Sequence, residues 1–257
     1  MGRISVLGVG FDSLGMDEAV ETALALIARK SRAYVVTPNP EIVWLCRKDA
    51  ALVSALEGAA LVLPDGVGVT LAAKILGRPL KQRLPGIDFA QAVLGGLAKT
   101  GGSVYLLGAK PGVAELAART LLAQFPGLKL AGARDGYFKD DAPVVAGINA
   151  AKPDFLFVCL GAPKQELWMR KNAKNLDAGL MAGLGGALDV FAGTVKRAPK
   201  SWQRLGLEWL YRLLREPKRI RRQLVLPRFA AAVIIEGVWR GVCGGLRKIR
   251  LALKSRR

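Results

Sequence analysis

Apolar residues along the chain fall into short runs separated by stretches in which they recur at helical spacing. The compact runs are Ala33 to Thr37 (AYVVT), Leu61 to Leu63, Ser103 to Leu107 (SVYLL), Leu128 to Ala133, Phe155 to Leu160 (FLFVCL) and Ala178 to Gly183. Residues 3–9 alternate in the manner of a strand. Between these runs, 16–30, 41–47, 68–77, 113–125 and 164–175 carry the helical period, the first with acids in its opening turn. Strands alternating with helices of about a dozen residues predict βαβ units and a mainly parallel sheet. Ligands on such sheets bind beyond the carboxyl ends of the strands. Four of those ends are rich in turn and polar residues: Thr37-Pro-Asn39-Pro, Pro64-Asp65-Gly66, Gly108-Ala-Lys-Pro-Gly112 and Gly161-Ala-Pro-Lys-Gln165.

Past Gly193 the pattern changes. Trp202, Leu205, Leu207, Trp209, Leu210, Leu213 and Leu214 are interleaved with Arg204, Arg212 and Arg215, and a basic cluster, Lys218-Arg-Ile-Arg-Arg222, follows Pro217. The apolar run from Phe229 to Ile235 is interrupted by Glu236 and Arg240. It is therefore much shorter than the about 20 apolar residues a bilayer span needs. Such basic, aromatic-bearing amphipathic helices lie in the membrane interface. Residues 1–195 are read as an α/β core and 196–257 as a basic helical appendage.

Charge sharpens that boundary. Of the net +19 over 257 residues, residues 1–195 contribute +4 (21 basic, 17 acidic) and 196–257 contribute +15 (18 basic, 3 acidic). The partner of the appendage should be a polyanion, either an anionic membrane face or nucleic acid. The chain contains no histidine. That excludes Ser-His-Asp and Cys-His catalysis, HExxH zinc sites and any imidazole base. Near neutral pH a carboxylate is the expected proton acceptor. Cys46, Cys159 and Cys243 are far apart and lack metal-ligand spacing, which fits a reducing compartment. The amino terminus has the character of a first strand, and no secretory signal is expected.

Several further motifs follow one another in order along the chain. They are Thr37-Pro-Asn39-Pro-Glu, Asp65-Gly-Val-Gly68, Arg83-Leu-Pro-Gly86-Ile-Asp88, Tyr105-Leu-Leu-Gly108, Gly132-Ala-Arg-Asp-Gly136-Tyr137-Phe, Gly161-Ala-Pro-Lys-Gln165-Glu166 and Gly185-Gly-Ala-Leu-Asp189-Val-Phe-Ala-Gly193. Arg197-Ala-Pro, Gly206-Leu-Glu-Trp209-Leu-Tyr-Arg212 and Glu216-Pro217-Lys-Arg219 complete the set. As an ordered set they resemble the WecG/TagA/CpsF family of bacterial glycosyltransferases; the likeness runs from about residue 4 to 226, while 228 onward is not covered by it. It implies a Rossmann-like core flanked by helices and a membrane-binding carboxyl-terminal appendage that finishes the active site. It also implies transfer of a hexose-type sugar (N-acetylmannosamine, its uronic acid, or glucose) from a UDP-sugar to a saccharide on a polyprenyl diphosphate, with inversion. The place would be the cytoplasmic face of the bacterial inner membrane, and the product would feed teichoic acid, common antigen, capsule or exopolysaccharide.

That chemistry needs a base for the acceptor hydroxyl and cationic or dipolar groups for the leaving diphosphate. Asp65 suits the base, although Pro-Asp-Gly is also good turn chemistry. The guanidinium of Arg83 suits a diphosphate, or is a solvated loop arginine. Thr37 and Asn39 either hold sugar hydroxyls and orient Asp65, or Asn39 caps a helix. Gly108 allows backbone N–H groups to approach a nucleotide phosphate. Tyr137 is a candidate to stack on uracil or to pack in the core. Gln165 is a candidate for sugar or diphosphate, or is solvated. Gly185 permits close approach, and Asp189 can accept from uracil or pair with Lys196 or Arg197. Arg212, Arg215, Arg219 and Arg222 are assigned to acceptor phosphate and anionic lipid.

No Asp-X-Asp occurs and Asp140-Asp141 is expected to face solvent, so the reading is metal-independent and without cofactor. Homo-oligomerisation stays open. The alternative is a nucleic-acid-binding protein, since the tail would also coat phosphates. Its mixture of arginine with Trp, Leu and Ile faces, without a recognisable DNA or RNA module, argues against that. A nicotinamide enzyme is disfavoured because Gly8-Val-Gly10 is only a fragment of the dinucleotide fingerprint.

Overall fold

The computed structural model describes residues 2–217 and 220–254, the side chains of 221 and 241–254 excepted. The chain opens with a two-stranded antiparallel hairpin, β1 (Ile4–Val6) and β2 (Val9–Phe11). The alternating run at 3–9 was expected to give one strand. Leu7 and Gly8 adopt φ of 48° and 90°, the tight-hairpin geometry, and divide it into two.

A six-stranded sheet forms the centre: β3 (Ala33–Val36), β4 (Leu61–Val62), β5 (Ser103–Gly108), β6 (Lys129–Arg134), β7 (Phe155–Cys159) and β8 (Leu180–Gly183). Its order is β4-β3-β8-β7-β5-β6, every pairing is parallel, and all carboxyl ends therefore emerge on one edge. The inner strands are short apolar runs because both faces are covered, whereas the edge strand β6 begins on Lys129, ends on Arg134 and is partly exposed. Along β7, Phe155, Phe157 and Cys159 enter one core while Leu156 and Val158 enter the other.

On one face lie α1 (Met16–Ala28), α5 (Gly86–Thr100), α6 (Val113–Gln124) and α9 (Ala187–Phe191). On the other lie α2 (Pro40–Cys46), α3 (Ala50–Glu57), α4 (Val67–Ile75), α7 (Ala142–Ala151) and α8 (Lys164–Asn172). α3, α5, α7 and the short α9 go beyond the helices expected from periodicity. α5 carries Gly95-Gly96 in its interior. A Cβ on Gly96 would sit 2.7 Å from Leu24, so glycine is there to let α1 and α5 approach.

After the core come α10 (Lys200–Arg204), α11 (Glu208–Arg215), α12 (Ile220–Gln223) and α13 (Val225–Lys254). α13 packs on α2 and α4. Phe229 and Val233 are buried in the same hydrophobic cluster as Val36 and Met181 of the sheet. No helix among the described residues is long and apolar enough to cross a membrane.

Candidate functional site

Three loops at the carboxyl edge are bolted together by backbone hydrogen bonds. The Asp65 N–H donates to the Pro38 carbonyl at 3.3 Å, and the Leu84 N–H donates to the Pro64 carbonyl at 2.8 Å. Pro40 lies against Gly68, where a Cβ would come within 2.7 Å of the ring, so the Thr37-Pro-Asn39-Pro and Asp65-Gly-Val-Gly68 segments interlock. The consequence is that Asn39, Asp65 and Arg83, far apart in sequence, face one cavity of about 560 Å³. The appendage supplies its other wall. Glu208, Trp209, Arg212, Arg222, Gln223, Phe229 and their neighbours line it together with Leu184 and Gly186 from the end of β8.

Asp65 is half-buried at the polar end of this cavity. Burial raises its pKa to about 6; Arg212 pulls it down, Glu208 pushes it up, and Arg83 and a Gly86 backbone hydrogen bond lower it further. A carboxyl poised there can exchange a proton near neutral pH. Arg197, considered from the sequence only as a partner for Asp189, holds the surroundings. Its guanidinium makes a two-pronged contact with Asp88 of α5, one arm at 2.8 Å, and reaches Glu208 at 3.4 Å. Arg212 also contacts Glu208, at 3.3 Å, and Arg222 pairs with Glu41 at 2.7 Å. The appendage is thus tied to the core by ions on both sides of the cavity.

Of the expected site residues, Asn39, Asp65, Arg83, Arg212 and Arg222 line the cavity. Asn39 also caps α2, its Oδ1 accepting from the Ile42 N–H at 3.1 Å. Thr37 is buried one layer behind and donates to the Gly183 carbonyl at 3.1 Å. Gly185 adjoins two cavity-lining residues, with φ of 55°. Gly108 lies on the same edge but outside the cavity walls, and its φ of 132° and a Cβ clash with the Cys159 carbonyl at 2.3 Å make a side chain untenable. Tyr137 stands in an Asx turn closed by Asp135 and is 72% exposed, so it is not core. Asp189 does not pair with Arg197, which is taken by Asp88 and Glu208. Of the pair expected to face solvent, Asp140 is exposed, whereas Asp141 is partly buried: it accepts from Trp168, Lys171 and Asn172 and pins α7 to α8. Arg215 is exposed and stacks over Tyr211. Arg219 lies outside the described residues.

Gln165 was open to a solvated reading, but it is 3% exposed. Its Oε1 accepts from the Gly185 N–H at 2.9 Å and its Nε2 donates to Glu166 at 2.8 Å. Glu166 is buried, its Oε2 has no partner, and burial lifts its pKa to about 7. The signal for Glu166 was its place in the motif next to Gln165; nothing local predicted that a Glu in a helical first turn would point inward. Among the described residues no three carboxylate or thiol groups converge as a metal site.

A parallel α/β sheet with a carboxylate and three arginines around one crevice agrees with what the sequence matches. The model of the "Glycosyl transferase WecG/TagA/CpsF family" covers residues 4–242. The chain is 39% identical to a Bacillus spizizenii protein over 202 residues, 79% of each chain. It is 37% identical to a Bacillus subtilis protein over 82% of each, and 37% identical to a Staphylococcus aureus protein over 88% of this chain and 90% of that one. Each of the three is named N-acetylglucosaminyldiphosphoundecaprenol N-acetyl-beta-D-mannosaminyltransferase. On the extent of the family match and these identities, the chain belongs to the WecG/TagA/CpsF family of glycosyl transferases.

Proposed function

We propose that this protein is an inverting, metal-independent hexosyltransferase that moves N-acetylmannosamine from UDP to a saccharide on a polyprenyl diphosphate. The observation that carries the reading is Asp65, a carboxyl with its pKa lifted to about 6, inside a cavity whose walls also carry Arg83, Arg212 and Arg222. The acceptor hydroxyl oxygen bonds to the anomeric carbon as the bond from that carbon to the UDP oxygen breaks. The hydroxyl proton passes to Asp65 and the electron pair leaves with the diphosphate. The arginines offset its charge, work that Mg²⁺ does elsewhere. One displacement on an α-linked donor gives the β linkage in the relatives' names. Thr37, Gln165 and Gly185 hold the floor of the crevice. Gly108, Tyr137 and Asp189 sit along the same edge as candidate contacts to the nucleotide.

The transferred group in the relatives' names, N-acetylmannosaminyl, supports N-acetylmannosamine over its uronic acid or glucose, and their acceptor, an N-acetylglucosaminyldiphosphoundecaprenol, supports a lipid-linked acceptor here. The basic appendage then docks on anionic lipid at the cytoplasmic face of the membrane. A panel of UDP-sugars, scored by UDP release with a short-chain N-acetylglucosaminyl diphosphate lipid, tests this. UDP-N-acetylmannosamine should be turned over with EDTA present and Asp65→Asn should be nearly inactive. Reversible loss of turnover on chelation would refute metal independence, and a different favoured donor would correct the substrate.

A further inference from the structure

The cavity is two-sided in its chemistry. One end holds Asp65 and Arg83 together with Arg212 and Arg222, which are paired to the lining carboxylates Glu208 and Glu41, and the other is walled by Leu71 and Ile75 of α4 and by Leu226, Ala230, Val233 and Ile234 of α13. Leu71, Ile75 and Ile234 are 55%, 47% and 56% exposed, so this apolar half is open and not filled by the protein's own core. The two helices come close where Gly237 faces Ile75, a Cβ there lying 3.3 Å from the isoleucine methyl, and the cavity walls on α13 stop short of that contact. A continuous space with guanidinium donors and carboxylates at one end and an aliphatic trough at the other matches an amphiphile whose diphosphate joins a head group to a hydrocarbon. Ile235, Val238 and Trp239 are also exposed on α13 but do not line the cavity. The trough and the outer apolar face of the helix are therefore separable surfaces.

We infer that the α4–α13 trough seats the first isoprene units of the acceptor's lipid chain, so that the enzyme holds its lipid by the hydrocarbon as well as by the diphosphate. This rests on the reading of the acceptor given above. α4 is nine residues long, roughly 13 Å by helical rise, so only the chain segment next to the diphosphate is enclosed. The rest stays in the bilayer, against which Ile235, Val238 and Trp239 are free to lie.

The test compares binding of geranylgeranyl diphosphate and dimethylallyl diphosphate by calorimetry below the micellar concentration, with no transfer needed. The full chain should bind the longer lipid at least about tenfold more tightly. Leu71→Gln and Ile234→Gln, both at exposed positions, should each remove most of that preference while leaving affinity for the short diphosphate unchanged. Ala230→Phe, which adds bulk at an exposed position of the trough, should do the same. Trp239→Gln should weaken vesicle binding and keep the preference. Equal affinity for the two lipids in the wild type, equal loss on both in the trough variants, or loss of the preference in Trp239→Gln would each overturn the assignment. A preserved chain-length preference alongside no sugar transfer would instead sink the reading of the reaction and leave the trough standing.

Discussion

At the scale of single residues the two raised carboxyls carry the sharpest consequences. Asp65 holds its proton to about 6 in the folded chain against an ordinary 3.8. The fold therefore binds a proton that the unfolded chain has released, and stability contributed by this group falls as pH rises from about 4 to about 6 and is flat above. Asp65→Asn should melt higher than wild type at pH 8, with the gap closing towards pH 4 in thermal scans, while kcat falls by about 10²- to 10⁴-fold. If Asp65 is the base proposed above, it works when ionised, and activity should climb with pH through about 6. Because the charge of Arg212 lowers that pKa, Arg212→Gln should move the rising limb of the pH–rate profile to higher pH as well as depress kcat. An unmoved limb would detach Arg212 from Asp65. Glu166 acts at one remove, through Gln165 and the Gly185 N–H. Glu166→Ala leaves the Gln165 amide without its acceptor and should destabilise by about 1–3 kcal/mol in urea unfolding, with a loss of kcat/KM. Glu166→Gln keeps an acceptor oxygen and should recover most of both.

At the scale of elements, the joint between the core and α11 is the most informative place. Arg197 lies between Asp88 at the start of α5 and Glu208 at the start of α11, and both carboxylates are near helix amino termini, where negative charge is stabilised. Its planar fork serves both partners, which a lysine cannot do. Arg197→Lys should therefore cost nearly as much as Arg197→Ala, about 2 kcal/mol by urea unfolding, because the two-pronged contact is lost in each. Full stability in the lysine variant would show that charge alone makes the joint. The burial of Phe229 and Val233 explains why a segment that reads as an amphipathic surface helix is also a wall of the crevice. Its apolar stripe is shared between core and trough.

At the scale of the molecule, charge and exposed apolar surface coincide. Leu205, Leu214, Ile220, Leu224, Ile235, Val238 and Trp239 are exposed in the same quarter of the chain that carries the +15. Each basic contact with an anionic surface contributes on the order of 1 kcal/mol. The protein should float with vesicles containing anionic lipid, bind neutral vesicles weakly, and lose binding as salt rises. A nucleic-acid protein would instead shift DNA with a steep salt dependence and ignore the vesicles. Flotation that is indifferent to lipid charge would remove the electrostatic part of this account.

The parallel sheet was legible because its inner strands are apolar runs bounded by turn residues, and burial on both faces writes that pattern directly into the chain. So was Asp65 as a candidate, since a chain without histidine leaves few bases and strand ends are where α/β proteins keep them. What the sequence did not determine is which loop meets which. Gln165 and Glu166 turned inward, Tyr137 turned out, Asp141 took three partners, and Arg197 chose Asp88 over Asp189. The union of Asn39, Asp65 and Arg83 with Arg212 and Arg222 likewise depends on close packing of Pro40 on Gly68 and on ion pairs between residues up to 181 positions apart. Local pattern fixes the period and the buried face of an element, because those depend on near neighbours. The direction of a polar side chain and the walls of a crevice depend on atoms brought together only when the elements pack, and there the tertiary structure decided.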